Sequence, residues 1–181
     1  MVTIDLGGRH ALVMGVANHR SLSWAIAQQL HHAGAALCLT YAGERLRRDV
    51  QELAGRLPGT LTLDCDVTQD RTIAAVARRL QREWGSVECL VHGIAWARRE
   101  DLEGRFVATS REGFQSALDV SAYSLLNVPN HLLPLLEQGL WYTPSTAASI
   151  LGQHGHTPAG AEPMRQIGRA NVRTPVTTAQ I

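Results

Sequence analysis

The sequence contains no lysine: all 17 of its basic residues are arginine, set against 16 acids for a formal charge of +1. A near-neutral chain with interspersed charges has no basic stripe, which excludes binding to nucleic acid or an anionic membrane through charge. Cysteine is scarce. Cys38, Cys65 and Cys89 are odd in number, and each falls in a predicted buried strand. That pattern argues for free thiols in a reducing compartment and against a disulfide frame. No pair of cysteines has metal-ligand spacing, so no metal is expected. No apolar run is long enough to span a bilayer, and the opening MVTIDLGGRH lacks the apolar segment of a secretory signal. The expected location is the cytoplasm. What is present is 181 residues at 45% hydrophobic content, enough for one ordinary domain with a proper core.

Apolar runs and amphipathic stretches alternate along the first three quarters of the chain. HALVMG from His10, AALCLT from Ala35, LTLDCDV from Leu61 and VECLVHG from Val87 read as four buried strands. Between them, Ser21 is placed to cap a helix carrying Leu22, Ala25, Ile26, Leu30 and Ala33 on one face. A second helix follows from Leu46, Val50, Leu53 and Leu57, and a third from Ile73, Val76, Leu80 and Trp84 with Gly85 as its stop. After the charged loop ARREDLEGR, Thr109 with Glu112 three residues on predicts a capped helix burying Phe114, Leu118 and Leu125. Continuous apolar strands separated by helices imply an α/β fold of the doubly wound Rossmann type, with a parallel sheet covered on both faces. The rhythm weakens at Pro129, which removes a helix hydrogen bond, and from Leu140 it is gone. The expected division is therefore 1–139 as the Rossmann domain, incomplete at its C-terminal side, and 140–181 as an irregular tail. That tail holds four of the seven prolines and a single acid, Glu162.

Ligands of such sheets bind at the carboxyl ends of the strands. Three stretches stand there. In GVANHRSLSWAIA, Gly15 ends the first strand and Ser21 starts a helix, putting backbone amides and the positive helix end where a pyrophosphate can rest. In CDV, Asp66 follows the third strand and can accept from an adenine amino group, with Val67 supplying backbone contacts. The plainer use of Asp66 is as a helix cap, a position for which Thr68 competes. In HGIAWA, Gly93 lets the backbone approach a ligand closely. His92, at the end of a buried strand with no acid identifiable beside it, reads as structural. No acid ends the second strand, and Arg45, Arg47 and Arg48 lie close enough to tolerate a 2′-phosphate, although a solvated helix face is the preferred reading of those arginines.

Together MGVANHRSLSWAIA, TYAGERLR, CDVTQD, EWGSVECLVHGIAWARREDLEGRF and TSREGFQSALDVSAYSL resemble the successive motifs of bacterial NADH-dependent enoyl-acyl-carrier-protein reductases. These form a divergent branch of the short-chain dehydrogenase/reductases, and the likeness runs from about Val2 to Leu126. The resemblance implies NADH as cofactor, with NADPH not excluded. It implies an enoyl thioester on acyl carrier protein as substrate, in fatty-acid biosynthesis. On it, Gly15, Ser21 and Leu22 would hold the pyrophosphate side and Asp66 and Val67 the adenine. Gly93 and Ile94 would lie near the ribose and nicotinamide, and Ala97 would face the acyl group. Ala25, Gly93 and Ala42 depart from the residues usual in the family at those places.

The family's Tyr-x6-Lys pair has no counterpart. The tyrosines are Tyr41, Tyr123 and Tyr142, and seven residues on from them stand Arg48, Asn130 and Ser149. No catalytic residue is therefore assigned, and Tyr123 is expected to pack or to line the site rather than to donate a proton. Losing an oxyanion donor costs about 100- to 1,000-fold in turnover. The resemblance thus predicts an impaired or inactive reductase whose homo-oligomeric assembly, usual in the family, is in doubt, with strand four left as an open edge. An out-of-frame reading of a GC-rich gene would produce such a tail. A non-catalytic dinucleotide-binding module and another short-chain reductase are the alternatives.

Overall fold

The computed structural model describes residues 5–136 and 140–142. Five strands, β1 (His10–Met14), β2 (Ala36–Tyr41), β3 (Leu61–Asp64), β4 (Cys89–His92) and β5 (Leu140–Tyr142), form one sheet in the order β3-β2-β1-β4-β5. All neighbours are parallel, with Leu12 opposite Cys38 on one side and opposite Leu90 on the other. Helices α1 (Leu22–His32), α2 (Glu44–Ala54) and α3 (Asp70–Glu83) make the first crossovers. The last crossover is built in pieces: α4 (Arg99–Leu102), a 3₁₀ turn (Phe106–Ala108), α5 (Arg111–Leu118), a π turn (Asp119–Tyr123) and α6 (Ser124–Leu136).

Alternation along each strand sends side chains to both faces, and both are covered. Ala11, Val13, Leu37, Leu39 and Val91 pack with Trp24 and Ala27 of α1 and Val50 and Leu53 of α2. Leu12, Met14, Cys38 and Leu90 pack with Ile73, Val76 and Leu80 of α3 and Val128 and Leu132 of α6. Two-sided burial is why these strands read as unbroken apolar runs. At the amino end of the sheet, Glu88 ties β1 to β4. It accepts the His10 amide at 2.7 Å and the Ser86 hydroxyl at 2.6 Å, while the His10 ring stacks on Trp84 at 4.9 Å. Burial pushes the Glu88 carboxyl up, but these hydrogen bonds and the His10 ring outweigh it and leave it below its ordinary 4.5.

Several sequence expectations need correction. The buried face of α1 is Ser23, Trp24 and Ala27, whereas Leu22 is 68% exposed and Ala25 is exposed. The helix is apolar on several sides, so period alone does not choose the face. Ser110, not Thr109, caps α5, accepting the Gly113 amide at 2.9 Å. Phe114 and Leu118 are about half exposed, and Gly113 is the buried residue of that helix. Cys65 lies just beyond β3, and Cys89 of β4 is only partly covered.

Pro129 does not break α6, which carries both Pro129 and Pro134 through to Leu136. Tertiary packing of Val128, Leu132 and Leu135, with the Asn127 amide donating to Asp70 at 2.8 Å, offsets the missing bond. Strand pairing also continues past Gly139: β5 lies beside β4 with Leu140 opposite Cys89, so β4 is not an edge. Residues 143–181, which hold the rest of the expected tail, lie outside the described residues.

Candidate functional site

The strand order turns at β1 and β4, and that switch point opens on their carboxyl ends. Gly15 follows β1 at φ +82°, in the left-handed region, and a Cβ there would meet the carbonyl of Gly93 after β4. The Gly93 amide in turn donates to the Met14 carbonyl at 3.2 Å. The two loops thus close over the sheet end only because residue 15 has no side chain.

Two clefts flank this contact, sharing Gly15, Gly93, Ile94 and Ala95. The larger, of about 530 Å³, runs toward β2 and β3 past Val16, Tyr41, Ala42, Gly43, Asp66, Val67 and Thr68. The other, of about 470 Å³, runs toward α1 past Ser21, Leu22, Ser23 and Ser121. Of the sequence-predicted residues, Gly15, Asp66, Val67, Gly93 and Ile94 line the first, and Gly15, Ser21, Leu22, Gly93 and Ile94 line the second. Ala97 lines neither.

At the α1 end, Asn18 organises the loop: its side chain accepts the Arg20 amide at 2.8 Å and its carbonyl accepts the Ser21 hydroxyl at 2.6 Å. The Ser21 side chain therefore does not cap the helix it begins. The amides of Trp24 and Ala25 reach the Ser21 carbonyl, so those of Leu22 and Ser23 precede the intrahelical ladder. This is the donor set an anion needs.

On the far side, the Asp66 carboxylate accepts the Thr68 amide at 3.0 Å, the Thr68 hydroxyl at 2.7 Å and the Gln69 side chain at 2.7 Å. Partial burial raises its pKa, but these bonds and the nearby Arg71 outweigh that and hold it below the ordinary 3.8. Asp66 is ionised and oriented, and it does not cap α3, whose N-cap position is Gln69. Trp96 is fixed from the facing segment: Ser121 Oγ accepts the Trp96 amide at 3.0 Å and donates to its carbonyl at 3.1 Å.

His92 is 3% exposed beneath the contact. Ser124 Oγ donates to the Val120 carbonyl at 2.6 Å, which leaves it to accept from His92 Nε2–H at 2.8 Å. Burial holds the ring's pKa below 6.5. The ring is thus held by Ser124 at the edge of the cleft toward α1, which it helps to line. Tyr123 is 56% exposed in the π turn.

Sequence reasoning missed Tyr41, Gly43, Leu46 and Trp96 as lining residues, although TYAGE spans the end of the second strand, which was the available signal for the first three.

A 3-2-1-4-5 parallel sheet with helices on both faces and a glycine contact at its switch point defines a Rossmann-type domain. The family model described as enoyl-(acyl carrier protein) reductase matches residues 15–162, and the chain belongs to that family. The match runs on past Gly139, beyond the resemblance read from the motifs. The chain is 48% identical over 136 residues to the Bacillus cereus enoyl-acyl-carrier-protein reductase (NADH) FabI, covering 74% of this chain and 53% of that one. With the Aquifex aeolicus FabI it is 43% identical over 132 residues, covering 73% and 49%. The chain thus spans about half the length of the curated relatives it matches. Among solved structures, the Aquifex aeolicus reductase superposes with a TM-score of 0.73 at 41% identity, covering 76% of this chain and 60% of that one. The Bacillus cereus reductase, solved with NADP⁺ and indole naphthyridinone, gives 0.73 at 40% identity, covering 83% and 70%.

Proposed function

We propose that residues 1–139 form the dinucleotide-binding part of an NADH-dependent enoyl-acyl-carrier-protein reductase, serving reduction of an enoyl thioester in fatty-acid synthesis. The observation that carries this reading is the pair of clefts meeting at the Gly15–Gly93 contact. One offers helix amides for a pyrophosphate, and the other an ionised Asp66 for an adenine amino group. Together they suit the pyrophosphate and the adenine end of a dinucleotide. Bound nicotinamide would supply hydride. The chain's own residues would orient it: Leu22 and Ser23 amides toward the pyrophosphate, Asp66 and Val67 toward the adenine, and Gly93 and Ile94 along the ribose and nicotinamide. Ala97 is assigned to the acyl side on resemblance alone.

No Tyr-x6-Lys pair occurs in the sequence, so turnover by a polypeptide of this sequence should fall at least about 100-fold below that of a reductase holding the pair. Titration with NADH, followed by nicotinamide fluorescence, tests the binding claim, and Asp66→Asn should weaken binding. Oxidation of NADH by a short enoyl thioester tests the second claim. Saturable NADH binding with slow oxidation is expected. Absence of binding would end the reading, and turnover at an ordinary enzyme's rate would end the claim of impairment.

A further inference from the structure

In a Rossmann site the choice between a free ribose 2′-hydroxyl and a 2′-phosphate is made where the second strand ends: an acid favours the former, an arginine the latter. Here β2 ends in Tyr41 and runs into Ala42 and Gly43, with no acid. Arg45, Arg47 and Arg48 follow Glu44 in the first turns of α2, and taken alone they favour a phosphate. The three-dimensional surroundings reverse this.

Tyr41 pairs with Asp64, the last residue of β3. From there the Asp64 carboxylate reaches across and accepts the amide of Gly43 at 3.0 Å. Gly43 is the N-cap residue of α2, at φ +72°. The anion-seeking start of α2 is thereby already supplied with a negative charge from the neighbouring strand. The arginines are also partly spent. Arg47 is held by Glu44 at 2.8 Å, and Arg48 lies 3.9 Å from Asp49. Asp64, Glu44 and Asp49 thus balance the three arginines in number, and Asp64 is the one bonded to the turn itself. Tyr41, Ala42 and Gly43 line the larger cleft beside Asp66.

We propose that Asp64 takes the part of the absent strand-two acid, holding the turn after β2 and repelling a 2′-phosphate so that the site prefers the unphosphorylated dinucleotide. Glu44 supports it by occupying Arg47. The inference rests on the dinucleotide reading above and adds its selectivity.

Asp64→Asn separates charge from geometry, because an asparagine oxygen can still accept the Gly43 amide. NADH and NADPH affinities of the full chain are measured by nicotinamide fluorescence for the native protein, D64N, D64A and E44Q. The native chain should bind NADH the more tightly. D64N should narrow the ratio by about tenfold at low salt, since one charge close to a phosphate is lost. That gain should shrink at about 0.5 M salt, where the Debye length falls to a few ångströms. E44Q should narrow the ratio in the same direction by freeing Arg47. A purely structural Asp64 would instead leave D64N unchanged and weaken both cofactors in proportion in D64A. Either an unmoved ratio in D64N or a native preference for NADPH overturns the proposal. Failure of the native chain to bind either dinucleotide overturns the site reading first, and this inference with it.

Discussion

Replacing Gly15 with alanine tests the site at its narrowest point. Two penalties are expected, and the structure separates them. The first is backbone strain: Gly15 sits at φ +82°, and an L-residue held in the left-handed region costs about 1–2 kcal/mol. The second is steric. The new methyl would lie against the Gly93 carbonyl, so the loops after β1 and β4 must part, at an overpacking cost of about 1–3 kcal/mol. Gly85 supplies the control, with φ +75° and nothing within 4 Å of its Cβ position. Gly85→Ala should pay only the strain. Urea unfolding of both variants should therefore show a total of about 2–5 kcal/mol for G15A, with G85A nearer 1–2 kcal/mol. G15A should also lose NADH binding, because both clefts share the displaced residues, whereas G85A should retain it. Equal destabilisation by the two variants, or native-like NADH affinity in G15A, would refute the account of the contact.

Ser124→Ala leaves the buried His92 Nε2–H without its acceptor and should cost about 1–3 kcal/mol in urea unfolding, while Ser124→Thr should recover part of it. Because burial lowers the folded pKa of His92 below 6.5, the unfolded chain binds the proton more readily. Stability should be full above about pH 6.5 and fall as the pH drops below it, and H92Q should flatten that slope. Glu88 and Asp66 are lowered from 4.5 and 3.8, so their contribution is present above those values and lost as the pH falls through the folded ones. E88Q should diminish this acid limb while leaving the His92 slope intact. Burial pushes the Cys38 and Cys65 thiols up to about 12, so a thiol reagent at pH 8 should label them only as fast as the protein unfolds.

The sheet was legible because its inner strands are buried on both sides and spell unbroken apolar runs. Punctuation by Gly15, Pro58-Gly59 and Gly85 marked the ends of elements, and so the residues at the carboxyl edge. Less was legible where a side chain's partner is remote in sequence. Trp24 and Ala27 of α1 are buried because they meet β1 and β2, while period favoured their neighbours Leu22 and Ala25. Thr109 and Ser110 both offer a capping hydroxyl, but that of Thr109 is turned back to the Phe106 carbonyl and only that of Ser110 meets the helix. The proline-bearing α6 survives through contacts with α3, some fifty residues earlier. Asp64 looked like one more residue of an apolar strand. Its hydrogen bond to Gly43 depends on the β2–β3 register, which no local pattern announces.

The central position of β1 has a consequence in time. Ala11 pairs with Leu37 on one side and with Cys89 on the other, so the second partner leaves the ribosome long after the first. At roughly 5–20 residues per second, the roughly 50 residues of synthesis between the two partners take roughly 3–10 s. Throughout that interval the central strand of the sheet has one edge unpaired, and His10, Trp84 and Glu88 cannot yet form their clasp. The nascent chain thus presents its future switch point as a sticky edge, and a chaperone that holds extended apolar segments would find its substrate there.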